Sequence, residues 1–209
     1  MIIEKKFIES GFENIISISG KDITADLIKR CFNLDRVFYG KEFLWENTDI
    51  LNVILKYNQM CFIFMDTSNE NIVGYSYWFP IKTEILDKFV EDKKALLDIK
   101  QEYCSGYQTS PINLFLGGEA FVPGYDLLNM HKVVEDIFQH HILHLAENGI
   151  KIDNICLDAV CKFDEEYLVP KLGVTNKFEK SNCIYYCGEY HPNTTYNDSQ
   201  YCEKLKKYY

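Results

Sequence analysis

The sequence predicts an α/β fold in which strands and helices alternate along the chain, and three observations predict it. First, two runs rich in β-branched and aromatic residues, Met60-Cys-Phe-Ile-Phe-Met65 and Ile72-Val-Gly-Tyr-Ser-Tyr-Trp-Phe79, flank the polar stretch Asp66-Thr-Ser-Asn-Glu-Asn71; that is the pattern of a β-hairpin. Second, Val133, Val134, Ile137, Phe138, His141, Ile142 and Leu145 recur at helical spacing, which predicts a long helix over about 126–147 closed by Gly149. Third, 209 residues of which 47% are hydrophobic and 15% aromatic supply one sizeable core, with no repetitive or Pro/Gly/Ser-rich stretch to suggest a solenoid or a disordered chain.

The remaining elements follow in chain order. Residues 2–19 hold two short β-like runs around Gly11, the second being Phe12-Glu-Asn-Ile-Ile-Ser-Ile18. A helix follows from about Asp22, capped by Asp22 or Thr24, with Leu27, Ile28, Cys31 and Phe32 along one face. Another starts at Thr48, with Ile50, Leu51, Ile54 and Leu55 on its buried stripe. Pro80 is expected to end the second strand of the hairpin, and residues 83–103 read as helical with a break near Lys93. Ile112-Asn-Leu-Phe-Leu116 and Glu119-Ala-Phe-Val122 form a strand interrupted at Gly117-Gly118, where a bulge or a close backbone approach is expected. After the long helix come a strand over 153–160, a short helix over 163–172 ending at Gly173, and a strand region from Phe178 to Cys187. Residues 1–189 are expected to form a single domain, and 190–209 a polar, Tyr-rich tail.

Composition narrows the function classes. The opening Met1-Ile-Ile-Glu-Lys-Lys6 carries charge where a signal peptide needs an apolar run, and no window is apolar enough for a membrane span. A cytoplasmic protein is expected, monomeric or homodimeric. Eight cysteines, mostly inside apolar runs, read as buried reduced thiols rather than as a disulfide framework. A formal charge of −9 opposes nucleic acid, whose binding rests on basic residues neutralising phosphates. The same charge favours a cationic substrate on approach, or serves only solubility.

Three stretches carry a family resemblance. Asn71-Ile-Val-Gly-Tyr75, Val122-Pro-Gly-Tyr125 and Lys171-Leu-Gly173 stand, in the right order and with the right elements between them, where the third strand, the cofactor-loop approach and the last helix end lie in the GNAT-type N-acetyltransferases. Over residues 12–187 the chain resembles that superfamily. The resemblance implies an α/β (α+β) fold with a mixed central sheet of about six to seven strands flanked by helices. It makes 83–103 a helical insertion between the third and fourth strands. It also implies acetyl transfer from acetyl-CoA to a small-molecule amine acceptor.

The cofactor loop departs from the family. Where the superfamily has Arg/Gln-x-x-Gly-x-Gly/Ala, this chain reads Asp126-Leu-Leu-Asn-Met-His131, and residues 125–133 contain no glycine. Asp126 would cap the helix and repel phosphate, yet helix N-termini bind anions without the glycine signature. By the resemblance the cofactor contacts fall on Phe121, Val122, Leu127, Leu128, Asn129, Met130, His131 and Lys132. The protein is therefore either an acyl-CoA-dependent N-acyltransferase with an unusual loop, or a non-catalytic module of the same shape that binds a metabolite or a protein.

Acetyl transfer needs a proton acceptor for the amine and a donor for the leaving thiolate. Glu119, beside the glycine pair, is the candidate base, and the alternative is a solvated carboxylate on the outer face of its strand. The family's acid position falls on Val169, which leaves Tyr167 as a substitute, or as a packing residue. His140, His141 and His144 are spaced along one helix, but no cysteine or carboxylate pair at motif spacing completes a metal site, so no metal is expected. Phe43, Trp45, Tyr75, Tyr77, Trp78 and Phe79 either line an acceptor pocket or pack the core.

Overall fold

A computed structural model describes residues 13–38, 48–92, 100–108, 110–122, 127–159, 164–180, 183–192 and 204–209. Seven strands pair in the order β1-β2-β3-β4-β5-β7-β6, with helices between them: β1 Ile15–Ser19, α1 Ala25–Phe38, α2 Thr48–Lys56, β2 Cys61–Asp66, β3 Asn71–Ile81, α3 Thr83–Asp92, β4 Ile112–Phe121, α4 Leu127–Glu147, β5 Ile152–Ala159, α5 Val169–Leu172, β6 Asn176–Lys180 and β7 Cys183–Glu189. β4 and β5 run parallel while the β1–β2, β2–β3, β5–β7 and β6–β7 pairs are antiparallel. The sheet is thus mixed, as expected. Contacts cluster into two compact units, one of Met1–Trp78 with Gly118–Phe138 and the other of Phe79–Gly117 with Gln139–Tyr209. No helix among the described residues is long and apolar enough to cross a membrane.

In the first unit the hairpin forms where the period changed. Asp66 organises its turn, its Oδ1 accepting the Ser68 N–H at 2.8 Å and the Ser68 hydroxyl at 2.6 Å, an Asx arrangement that reverses the chain. α1 is capped by the later of the two candidates: Thr24 Oγ1 accepts the Leu27 N–H at 3.3 Å. α2 buries Ile50, Val53 and Ile54, with Tyr57 just beyond its end continuing the stripe, whereas Leu55 is exposed. The stripe follows i, i+3, i+4, i+7, so Val53 holds the place expected for Leu55. The first of the two β-like runs expected before residue 19 lies outside the described residues.

Gly118 of β4 lies beside Tyr75 of β3. A Cβ on Gly118 would stand 3.4 Å from Tyr75 Cε2, an ordinary van der Waals contact, so Gly118 faces the Tyr75 ring without the ring requiring a glycine there. The expected interruption at Gly117-Gly118 does not occur. β4 runs unbroken through both glycines, and its irregularity in pairing with β5 lies between Ile112 and Asn113.

In the second unit Pro80 does not end β3. It lacks an N–H, but its carbonyl accepts the Ser105 N–H at 2.9 Å, and Ile81 bridges Cys104 beyond it, so the strand continues on its acceptor side. Asn113 is buried and satisfied: its Nδ2 donates to Thr83 Oγ1 at 3.1 Å and its Oδ1 accepts from Asn154 Nδ2 at 2.9 Å. The helical stretch 164–172 ends at Gly173, whose φ of 66° is the left-handed cap expected there. The strand region expected over 178–187 is two antiparallel strands, β6 and β7, because the polar Ser181-Asn182 between them is turn-forming sequence. In the tail Leu205 is buried and the Tyr209 hydroxyl accepts the Ile152 N–H at 2.6 Å.

One buried carboxyl joins α1 to the sheet. Asp35, 3% exposed, accepts a hydrogen bond from the Tyr75 hydroxyl, and the Tyr75 ring stacks on Tyr77 with centroids 4.6 Å apart. Burial pushes the Asp35 carboxyl up to about 6, against the opposing pull of Tyr75. Folded chains therefore hold this proton more tightly than unfolded ones, so its stabilising contribution is full below the ordinary carboxylate range and fades as pH rises through about 6. We expect Asp35→Asn, which keeps the shape without the ionisation, to gain about 1–3 kcal/mol relative to wild type between pH 4 and pH 7. Urea denaturation of both proteins at each pH reads this directly, and it cancels the titration of Asp158, which burial also pushes up to about 6. A pH-independent difference would contradict it.

Candidate functional site

The candidate site lies wholly in the first unit, where the C-terminal part of β4 meets the first turns of α4. Successive strand residues point to opposite faces. Gly118 faces the Tyr75 ring, so Glu119 and Phe121 face the other way, toward α4. There Glu119 Oε1 lies 3.2 Å from His131 Nδ1, with the two side chains only 10% and 9% exposed. The outward reading of Glu119 fails because a central strand has both faces covered, and alternation then separates two buried faces rather than inside from outside.

Phe121 completes the wall of this pair. Its ring meets His131 edge-on, centroids 4.9 Å apart, and stacks on Phe64 at 5.8 Å. The ring has room only because residue 74 has no side chain: a Cβ on Gly74 would fall 2.7 Å from Phe121 Cε1 and 2.9 Å from the Ala120 carbonyl oxygen. Farther along the same face Trp78 packs against Phe138 of α4, centroids 4.4 Å apart. Aromatic packing thus fixes where the helix sits on the strands, and with it where His131 stands.

A carboxylate on Nδ1 selects the imidazole tautomer whose N–H lies on Nδ1 and whose Nε2 carries the lone pair. Such a pair can take a proton at Nε2 and hold the resulting imidazolium against the carboxylate. The arrangement is therefore suited to general-base chemistry. Expected as separate elements, a base and a phosphate donor, Glu119 and His131 are brought together.

The other expected site residues divide. Val122 spends its N–H on the Val73 carbonyl at 2.9 Å, so that amide belongs to the sheet. Met130 is fully buried and Lys132 exposed. Leu127, Leu128 and Asn129 form the first turn of α4, which carries no acidic residue, while Asp126 and the stretch 123–125 lie outside the described residues. Tyr167 lies in the second unit, with Lys171 Nζ 5.4 Å from its ring centroid. Burial, with His140 and His144 adding to it, pulls His141 down to about 4, and among the described residues no group of three or more His, Cys, Asp or Glu is placed to hold a metal. Tyr75, Tyr77, Trp78 and Phe79 are core residues; Phe43 and Trp45 fall outside the described residues.

Asp35 escaped the reading of the sequence, although a signal was there. It stands one turn beyond Cys31 and two beyond Ile28 on the buried stripe of α1, and a carboxylate on an apolar stripe calls for a buried donor.

No protein-family model matches this sequence, and no curated protein matches it. Solved structures do. The loading GNATL domain of CurA from Lyngbya majuscula superposes with a TM-score of 0.57 at 11% identity, over 84% of this chain and 97% of that one. FeeM, an N-acyl amino acid synthase from uncultured soil microbes, gives 0.53 at 12% identity over 84% and 89%. Arabidopsis thaliana NAA60, in complex with a bisubstrate analogue, gives 0.52 at 9% identity over 84% and 97%. Likeness at such identities speaks of architecture alone, and with the strand order above it establishes that this chain has a GNAT-type fold.

Proposed function

We propose that this protein is an acyl-CoA-dependent N-acyltransferase, moving an acetyl group from acetyl-CoA to an amine, with Glu119 and His131 as its proton-accepting pair. The observation that carries the reading is the 3.2 Å contact between Glu119 Oε1 and His131 Nδ1 in a nearly enclosed setting. The neighbours support the class: one is named an N-acyl amino acid synthase, and Arabidopsis thaliana Naa50 is described in complex with a bisubstrate analogue, CoA-Ac-MVNAL.

In this reading a CoA pyrophosphate meets the backbone amides at the start of α4, against the opposing charge of Asp126 in the preceding position. α4 is 21 residues long, without an acidic side chain in its first turn, so its N-terminal amides and dipole favour an anion there. Exposed Lys132 adds positive charge nearby. When bound, acetyl-CoA supplies the activated acyl thioester. This chain's residues do the rest: the Glu119 carboxylate orients the imidazole and His131 Nε2 takes the proton that the attacking amine must lose. Phe121, locked by Gly74 and Phe64, keeps water from the pair, which strengthens the interaction between carboxylate and imidazolium.

A second reading, a binding module without catalysis, draws on the glycine-free run at 125–133 and the engaged Val122 amide. Turnover separates the two. With acetyl-CoA and a panel of small amines, followed by release of CoA thiol, we expect Glu119→Gln to lower kcat/KM by ~10²–10⁴-fold while the KM for acetyl-CoA holds; an unchanged rate would remove Glu119 from the chemistry. Gly74→Ala should displace the Phe121 ring and destabilise the fold by about 1–3 kcal/mol in urea titration. A neutral effect would show that the ring is not confined as described.

A further inference from the structure

On the antiparallel β5–β7 ladder, Cys156 stands directly opposite Cys187. Both are free and buried, at 0% and 6% exposure, and their thiols are hydrogen-bonded to each other. Directly opposed residues of an antiparallel pair have Cα atoms about 4.5 or 5.5 Å apart depending on the pair type. Both spacings lie inside the ~4.4–6.8 Å span that a disulfide bridges. The register therefore places the two cysteines where a disulfide can form without moving the strands apart.

We propose that Cys156 and Cys187 form a dithiol oxidation site that takes hydrogen peroxide, with Cys187 as the attacking sulfur and Cys156 as the resolving one. The assignment of roles follows from the surroundings. Cys187 is the more accessible of the two, and its thiol is pulled below the ordinary range, first by the hydrogen bond from Cys156 and then by the Gly188 N–H, with burial and Asp87 opposing. Burial, with the Cys187 thiol and Asp158 adding to it, pushes Cys156 well up, so it waits as a protonated thiol.

The chemistry balances in two steps. The Cys187 thiolate attacks one peroxide oxygen and breaks the O–O bond, leaving a sulfenic acid and hydroxide. The Cys156 sulfur then attacks the sulfenic sulfur, its proton leaves with the departing hydroxyl as water, and the disulfide forms. One peroxide accepts two electrons, and the two thiols become one cystine. The product staples β5 to β7 across the register they already share, which closes a loop that β6 and α5 occupy and stiffens the second unit.

The test is peroxide titration of the native full chain, quenched with N-ethylmaleimide and mapped by peptide fragmentation, because Cys161, Cys183 and Cys202 fall on the same tryptic peptides and must be told apart. The first equivalent should yield the Cys156–Cys187 linked peptide, two hydrogens lighter, and dithiothreitol should reverse it. In Cys156→Ser, Cys187 should instead accumulate as a dimedone-trapped sulfenic acid. Alkylation of both residues after several equivalents, a linkage through other thiols, or a Cys156→Ser protein that folds yet gives no dimedone adduct at Cys187 would overturn the proposal. The mapping on wild-type protein decides the pairing even where the variant does not fold.

Discussion

Taking a carboxylate out of water in the middle of a sheet costs several kcal/mol unless a partner meets it, and the site depends on how Glu119 is met. It meets His131, which reaches it because the start of α4 packs beside the end of β4. That position is set by packing: Trp78 against Phe138, Phe121 against His131 and Phe64, and Gly74 absent as a side chain beneath the Phe121 ring. On the opposite face the Tyr75 ring, tied to Asp35 of α1, lies against Gly118. β4 is thus held from both sides at successive residues, one occupied by the core and the next by the pair that could do chemistry.

Much of this was legible in the sequence. The hairpin, the long helix closed at Gly149 and the cap at Gly173 rest on period changes and on glycines with positive φ at 79° and 66°, which are local signals. Thr24 and Asp66 act within three residues of themselves, and such contacts can be read from a short window. What failed was anything that needed the third dimension. Pro80 stays in a strand because Ser105, far along the chain, donates to its carbonyl, and β6 and β7 are separate strands within 178–187 because they pair with each other, a contact that the run of residues does not announce.

The site shows the same division. Glu119 was identifiable as a base beside two glycines, and His131 as a polar residue at the head of a helix. That they meet was not legible, since nothing in a twelve-residue separation across a strand end, a loop and a helix start fixes a contact. The family resemblance supplied the order of elements that brings β4 and α4 together. It also supplied an expectation for the phosphate loop that the residues themselves do not meet, so the cofactor reading has to stand on backbone amides rather than on a glycine motif.

Calorimetric titration of the full chain with acetyl-CoA and with CoA tests the central claim most directly, because a site that moves an acyl group must first hold its donor. The account predicts saturable binding in the micromolar range, with CoA and acetyl-CoA sharing most of their affinity through the pyrophosphate at the start of α4. No heat and no stabilisation at millimolar cofactor would contradict it, and would leave a GNAT-type fold whose enclosed carboxylate–imidazole pair serves some other ligand.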